Sequence, residues 1–167
     1  QYSAAQILIA TGAHPQRPDI PGAELGAVSD DFFNLCSAPA RVAIVGGGYI
    51  AVELAGLLQA LGSKVTLLVR GERLLERFDA ELTAQLAENL RHQGVQVHFN
   101  YRLRELRREG EAVVAYGHDG PHEAVFDQLF FATGRRGNSA GLGLEALGIA
   151  VGDKGEVEGD DWPTTAV

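Results

Sequence analysis

Three apolar runs along the chain end in glycine: Gln6-Ile7-Leu8-Ile9-Ala10-Thr11-Gly12, Arg41-Val42-Ala43-Ile44-Val45-Gly46 and Leu129-Phe130-Phe131-Ala132-Thr133-Gly134. Short, continuous and rich in β-forming residues, they predict strands buried on both faces of a parallel sheet. Between Gly12 and Arg41, the prolines at 15, 18, 21 and 39 argue against regular structure and predict a linker joining one sheet to another.

From Arg41 the pattern alternates between periods. A helix is expected from Gly48 to Leu61, with Ile50, Leu54, Leu57, Leu58 and Leu61 on one face and Gly62 closing it. Val65 to Val69 reads as the next strand. Asp79 is the expected N-cap of a second helix, whose stripe Leu82, Leu86, Leu90 keeps the i, i+4 spacing until Gly94. Val95, Val97 and Phe99 alternate as a third strand. Residues 101–126 read as an antiparallel meander turning at Glu109-Gly110 and Asp119-Gly120, and Gln128 to Ala132 is the last buried strand. Strands alternating with helices predict an α/β fold: a Rossmann-like three-layer domain with a parallel sheet and a small antiparallel β-meander.

The first strand-to-helix junction carries chemistry. In "VAIVGGGYIAVELAG", Gly46, Gly48 and Ala51 occupy the positions of a dinucleotide fingerprint. Gly46 permits the tight turn out of the strand. Gly48 lets backbone approach a pyrophosphate, and Ala51 is small enough for the helix to pack against the strand. The helix start offers N–H groups and a partial positive charge to phosphates. The motif follows a strand and opens a helix within a βαβ unit, the context it requires. A glycine-rich turn that binds nothing, or a Rossmann domain for another nucleotide such as S-adenosylmethionine, are the alternatives. Tyr49 and Glu53 on that helix have plain readings too: a packed ring with a solvated hydroxyl, and a carboxylate near the positive helix end.

The end of the second strand bears on which dinucleotide. An acid there accepts the ribose 2′-OH of NAD, whereas an arginine takes the 2′-phosphate of NADP. The position falls at Arg70, and the first acid is Glu72. Guanidinium grips phosphate through paired charge-assisted hydrogen bonds. Arg70, helped by Arg73 or Arg77, therefore points to NADPH, with Glu72 and Glu76 as dissenting acids that leave NADH open. A solvated surface role for Arg70 is the bland alternative.

Composition narrows the rest. A net charge of −8 argues against a nucleic-acid or anionic-membrane partner. The basic cluster Arg102, Arg104, Arg107 and Arg108 alternates with Leu103, Glu105 and Leu106 and reads as the solvated face of a strand. No apolar run approaches the ~18 residues of a membrane helix. No signal peptide is visible, and a cytoplasmic location is expected. Cys36, the single cysteine, excludes an internal disulfide and any CxxC motif, and is expected to be a partly buried structural thiol. His14, His92, His98, His118 and His122 show no metal spacing, so no metal site is expected.

The stretches "ILIATG", "PGAELGAVSDDFF", "RVAIVGGGYIAVELAG", "VRGERLLERFD", "FFATGRRGN" and "LGIAVGDKGEVEGDDWPTTAV" together touch nearly the whole chain. In that order they resemble the flavoprotein disulfide reductases, most closely the glutathione reductases. The resemblance implies that residues 1–38 are the end of an FAD domain plus a linker. It makes 39–135 the NAD(P)-binding Rossmann domain and 136–167 a return segment to the FAD domain. Thr11 and Gly12 then lie on the FAD side, and Ala132, Thr133, Gly134 and Arg135 mark the return. Gly46, Gly48, Ile50 and Ala51 form the nucleotide-binding junction. Tyr49 matches the tyrosine that covers the flavin face, and Glu53 the glutamate that helps hold the nicotinamide carboxamide. Arg70 matches the first of two 2′-phosphate arginines, while Glu76 occupies the place of the second, a departure that Arg73 or Arg77 would compensate. Gly137 departs from an Arg-x-Pro-Asn run. The implied parent uses NADPH and FAD to reduce a disulfide and is a homodimer through a domain absent here. This chain carries no redox cysteine pair and is expected to bind nucleotide without catalysis. An NADH-using relative like dihydrolipoamide dehydrogenase and a free-standing nucleotide-binding module are the rivals.

Overall fold

Side chains on successive strand positions face opposite sides, so a strand apolar at every position needs cover on both. The computed structural model, which describes residues 3–118 and 120–166 and of residues 120–124 only the backbone, supplies that cover. In chain order the elements are β1 (Ala13–Pro15), β2 (Ala27–Val28), β3 (Arg41–Val45), α1 (Tyr49–Ala60), β4 (Lys64–Leu68), α2 (Ala80–His92), β5 (Gln96–His98), β6 (Leu103–Glu109), β7 (Ala112–Gly117), β8 (Gly120–Phe126), β9 (Gln128–Phe131) and β10 (Arg135–Gly137). The chain divides into two compact units, Pro15–Gly134 and Gln1–His14 with Arg135–Val167.

In the larger unit five parallel strands run in the order β2-β9-β3-β4-β5, and β6, β7 and β8 form a separate antiparallel sheet. The pleat sorts β3 between two cores. Val42 and Ile44 pack with Ala51, Leu54, Ala55 and Leu58 of α1 and Ala87 and Leu90 of α2. Ala43 and Val45 pack on the other face with Leu106, Val113, Ala115 and Phe126 of the meander. The result is helices, parallel sheet and meander in three layers, as the alternation predicts. α2 begins where expected: the Asp79 carboxylate accepts from the N–H groups of Glu81 and Leu82 at 3.0 and 3.1 Å. The meander turn at Glu109-Gly110 joins β6 to β7; Asp119 of the second expected turn lies outside the described residues.

Several expectations are corrected. The run Gln6–Gly12 is not a strand, and Ile7 and Leu8 are 83% and 89% exposed. Among the described residues no strand pairs with it, and an apolar run without a ladder partner gains nothing from extending into a sheet. Part of the proline-rich connection is regular: β2 pairs with β9, Ala27 opposite Phe130 and Val28 opposite Phe131. The helix stripes hold in part: Leu54, Leu58 and Leu90 are buried, and Ile50 and Leu86 pack against the core. Leu57 and Leu61 are 50% and 65% exposed and Leu82 is 72% exposed, while Ala51, Ala55, Thr83 and Ala87 face inward. Helices that lie close on a sheet need small residues at the contact, which a search for leucines overlooks. Cys36 is exposed rather than partly buried. No described helix is long and apolar enough to cross a membrane.

In the smaller unit β1 and β10 form a two-stranded sheet. Asn138 fastens it: its side chain donates to Thr11 O at 3.0 Å, and its backbone N–H to Gly12 O at 2.9 Å.

Candidate functional site

The carboxyl ends of β3, β4 and β9 lie side by side, and the chain leaves each at one edge of the larger unit. Gly46 donates to Leu68 O at 3.0 Å, and Ala132 donates to Val45 O at 2.9 Å, so the strand exits are locked together. Gly46 has φ +146°, and a Cβ there would lie 2.4 Å from Ala132 O. A Cβ on Gly47 would meet Val69 Cγ1 at 2.7 Å. Those two glycines are demanded by the protein's own packing. Gly48 is different: its φ of −85° suits any residue, and no heavy atom lies within 4 Å of where a Cβ would be. Its bareness leaves open the space before the N-terminus of α1, which no side chain caps. The first N–H groups of that helix lack intrahelical partners, and the helix dipole makes the place attractive to an anion.

A loop from residue 70 to 78 forms the next wall. Leu75 donates to Gly47 O at 2.8 Å, fastening the loop to the glycine turn. Leu75 holds φ +47°, a left-handed conformation costing an apolar residue about 1–2 kcal/mol, against which its packing on the helix-side core works. On the far side, Asn100 donates to Gly71 O and Tyr101 to Val69 O, each at 2.9 Å.

Together these walls enclose a cleft of about 800 Å³ within the larger unit, the size of a small-ligand site. Arg17, Arg70, Arg73, Arg77 and Arg102 line it, against a single carboxylate, Glu76. In a chain of net charge −8, this is a local concentration of positive charge. Arg73 is engaged by Glu76 O, and Arg17 by Gly26 O at 3.1 Å and Asp31 at 3.8 Å. Among the described residues, Arg70, Arg77 and Arg102 have no hydrogen-bond or ion-pair partner for their guanidinium groups. Tyr101 lines the same cleft, donating its hydroxyl to Ala115 O at 3.1 Å, and burial pushes its phenol up to about 12. It is a neutral wall at ordinary pH.

Of the residues singled out by sequence, Gly46, Gly48, Tyr49, Arg70, Arg73, Arg77, Ala132, Thr133 and Gly134 line this cleft. Tyr49 is exposed at its edge, and Thr133 donates to Gln16 O at 3.0 Å. Three do not line it: Ala51 is buried in the helix-side core, Ile50 packs against that core, and Glu53 is exposed elsewhere on α1. Thr11, Gly12 and Arg135 belong to the smaller unit, where Arg135 donates to Ala13 O at 2.6 Å. Glu72 does not line the cleft. Arg17, Arg102 and His118 line it without having been singled out as site residues. Among the described residues, no cluster of His, Cys, Asp or Glu has the makings of a metal site.

Residues 1–167, the whole chain, match the family described as pyridine nucleotide-disulphide oxidoreductase. The chain belongs to that family. It is 38% identical over 99% of its length to a glutathione reductase of Yarrowia lipolytica, and 40% identical over 97% to a mercuric reductase of Streptomyces lividans. It spans 36% and 35% of those relatives, so about a third of their length. Among solved structures it is similar to the HOCl-induced flavoprotein disulfide reductase RclA from Escherichia coli. The TM-score there is 0.85 at 32% identity, over 94% of this chain and 36% of that one.

The two departures from the expected oxidoreductase pattern each have a local setting. The Glu76 carboxylate lies over Gly71, where a Cβ would meet Oε1 at 1.9 Å. Gly137 donates to Lys154 O at 2.8 Å, which proline has no N–H to do, and a Cβ there would lie 2.2 Å from Gly155 O. The exchange at 137 therefore goes with the approach of the residue 155 backbone.

Proposed function

We propose that this chain is the NADPH-binding part of a flavoprotein that passes hydride from NADPH through FAD to a disulfide, in the manner of glutathione reductase. The observation that carries the reading is the cleft: an uncapped helix start behind an open Gly48, and a lining of five arginines, of which Arg70, Arg77 and Arg102 have no guanidinium partner among the described residues. These features suit the two kinds of phosphate in NADPH. The α1 terminus and Gly48 take the pyrophosphate, and Arg70, with Arg73 or Arg77, takes the 2′-phosphate. Tyr49 and Glu53 are assigned to the flavin face and the nicotinamide carboxamide. The cofactors supply the redox chemistry, and this chain's residues bind and orient them.

In this reading residues 1–38 close an FAD domain and link to the next, 39–135 bind the nucleotide, and 136–167 return to the FAD domain. Thr11, Gly12 and the stretch Ala132 to Arg135 are its crossing points. The exposure of Ile7 and Leu8 fits a strand whose neighbours belong to residues outside this chain. With one cysteine the chain has no dithiol pair, so by itself it binds nucleotide and reduces no disulfide. The parent is a homodimer through another domain.

Glu76 inside the cleft favours a second reading, an NADH-using relative, because a carboxylate there suits a ribose 2′-OH and repels a phosphate. Calorimetric titration with NADPH and NADH at one low salt concentration separates the two. Preference for NADPH by about 1–3 kcal/mol, the size of charge-assisted hydrogen bonds, supports the proposal. Equal or tighter binding of NADH assigns the site to the second reading.

A further inference from the structure

Glu76 stands where a second phosphate-gripping arginine is expected, and Arg73 on the same loop is engaged by Glu76 O. A phosphomonoester carries close to two negative charges at neutral pH, and one guanidinium leaves part of that charge unmatched. Besides Arg70, the cleft holds two guanidinium groups without a partner among the described residues, Arg77 on the same loop and Arg102 from another segment.

Arg102 has the position for it. Tyr101 donates to Val69 O and Asn100 to Gly71 O, so the segment leading into β6 is tied to the backbone on both sides of Arg70. Arg70 and Arg102 each immediately follow one member of the bonded pair Val69–Tyr101. Arg102 is held from its other side as well, its carbonyl accepting from His118 N at 3.0 Å. Its backbone is thus fixed while its guanidinium has no partner among the described residues. The other arginines of that strand differ: Arg104 and Arg107 bond Glu105 at 2.8 and 3.0 Å, and Arg107 also covers the Tyr116 ring. Arg108 is exposed and does not line the cleft. Of the basic cluster in this segment, only Arg102 lines the cleft that holds Arg70.

We infer that Arg102 is a further cation for the nucleotide 2′-phosphate, supplied from the lead-in to the meander beside Arg70 and adding to the loop arginines where residue 76 supplies none. This rests on the NADPH reading above and specifies how that selectivity is built.

The test titrates the protein with adenosine 2′,5′-bisphosphate and with 5′-AMP, probes that differ only in the 2′-phosphate. Arg102→Ala is expected to weaken the bisphosphate by roughly tenfold or more, the loss of one charged hydrogen-bond partner, and to leave 5′-AMP within about twofold. Its bisphosphate affinity also falls less steeply with added salt. Arg102→Lys, which keeps the charge but not the fork, recovers part of the loss. Arg108→Ala, also exposed but outside the cleft, leaves both probes unchanged. Far-UV circular dichroism checks that each variant is folded. If Arg102→Ala keeps bisphosphate affinity while Arg70→Ala or Arg77→Ala loses it, the assignment of Arg102 is wrong and the NADPH reading stands. If the unaltered protein does not distinguish the two probes, both are overturned.

Discussion

Gly46 and Gly48 stand two residues apart in one turn, and the structure assigns their bareness to different causes. Replacing each by alanine separates them. At 46 the new Cβ would lie 2.4 Å from Ala132 O, at a φ of +146° that side chains rarely adopt. Overpacking costs about 1–3 kcal/mol and the backbone strain about 1–2 more, so Gly46→Ala loses roughly 2–5 kcal/mol. For a chain of this length each kcal/mol moves Tm by about 2–4 °C, so Tm falls by roughly 4–20 °C. At 48 the Cβ meets nothing and φ is −85°. Alanine restricts the unfolded chain by about 0.4–1 kcal/mol, offset by losing glycine at an N-cap, about 0.5 kcal/mol or more. Gly48→Ala should therefore melt within about 2 °C of the parent sequence. Its methyl group fills the space assigned to the pyrophosphate, and NADPH affinity should drop by about 10- to 100-fold, the loss of one or two charge-assisted hydrogen bonds. Calorimetric melting and NADPH titration of the two variants read both quantities. If Gly48→Ala melts as low as Gly46→Ala, or binds NADPH as tightly as the parent, the open space at Gly48 is not a phosphate site.

The remaining predictions concern stability. Asp79→Ala removes the cap on α2, and thermal melting should fall by roughly 2–4 °C for a cost of about 1 kcal/mol. The Arg41 guanidinium beside Asp127 holds that carboxyl below its ordinary value. A depressed carboxylate stabilises the fold above the unfolded value near about 3.9 and loses that contribution as pH falls through the folded value. Urea midpoints followed from about pH 5 down to pH 2 should therefore decline less steeply in Asp127→Asn than in the parent sequence. An unchanged slope would show that the pair is too solvated to matter.

What could be read from sequence follows the range of the interactions. The glycine turn, the continuous apolar runs of β3 and β9 and the Asp79 cap depend on residues close in the chain, so spacing reveals them. The helix faces are only partly legible: leucines mark Leu54, Leu58 and Leu90, but not Ala51, Ala55 and Ala87, whose small size allows a helix to lie close on a sheet. β2 is a strand only because β9 pairs with it, and no local signal in a proline-rich stretch announces that. The run Gln6–Gly12 shows the converse, strand-like residues without a partner among those described.

The same distinction governs the cleft. Its glycine turn is a local motif and is legible from spacing alone. Its charge is not local: Arg17 comes from the proline-rich connection, Arg70, Arg73 and Arg77 from one loop, and Arg102 from the lead-in to the meander. In sequence Arg102 is one of four arginines on what reads as a solvated strand. Two hydrogen bonds, Tyr101 to Val69 and Asn100 to Gly71, move it beside Arg70. On the proposal above, glutamate at 76 is compatible with a phosphate site because another segment of the fold supplies a cation. Motif positions report where a ligand's backbone contacts lie, and tertiary hydrogen bonds between loops decide which charges reach it.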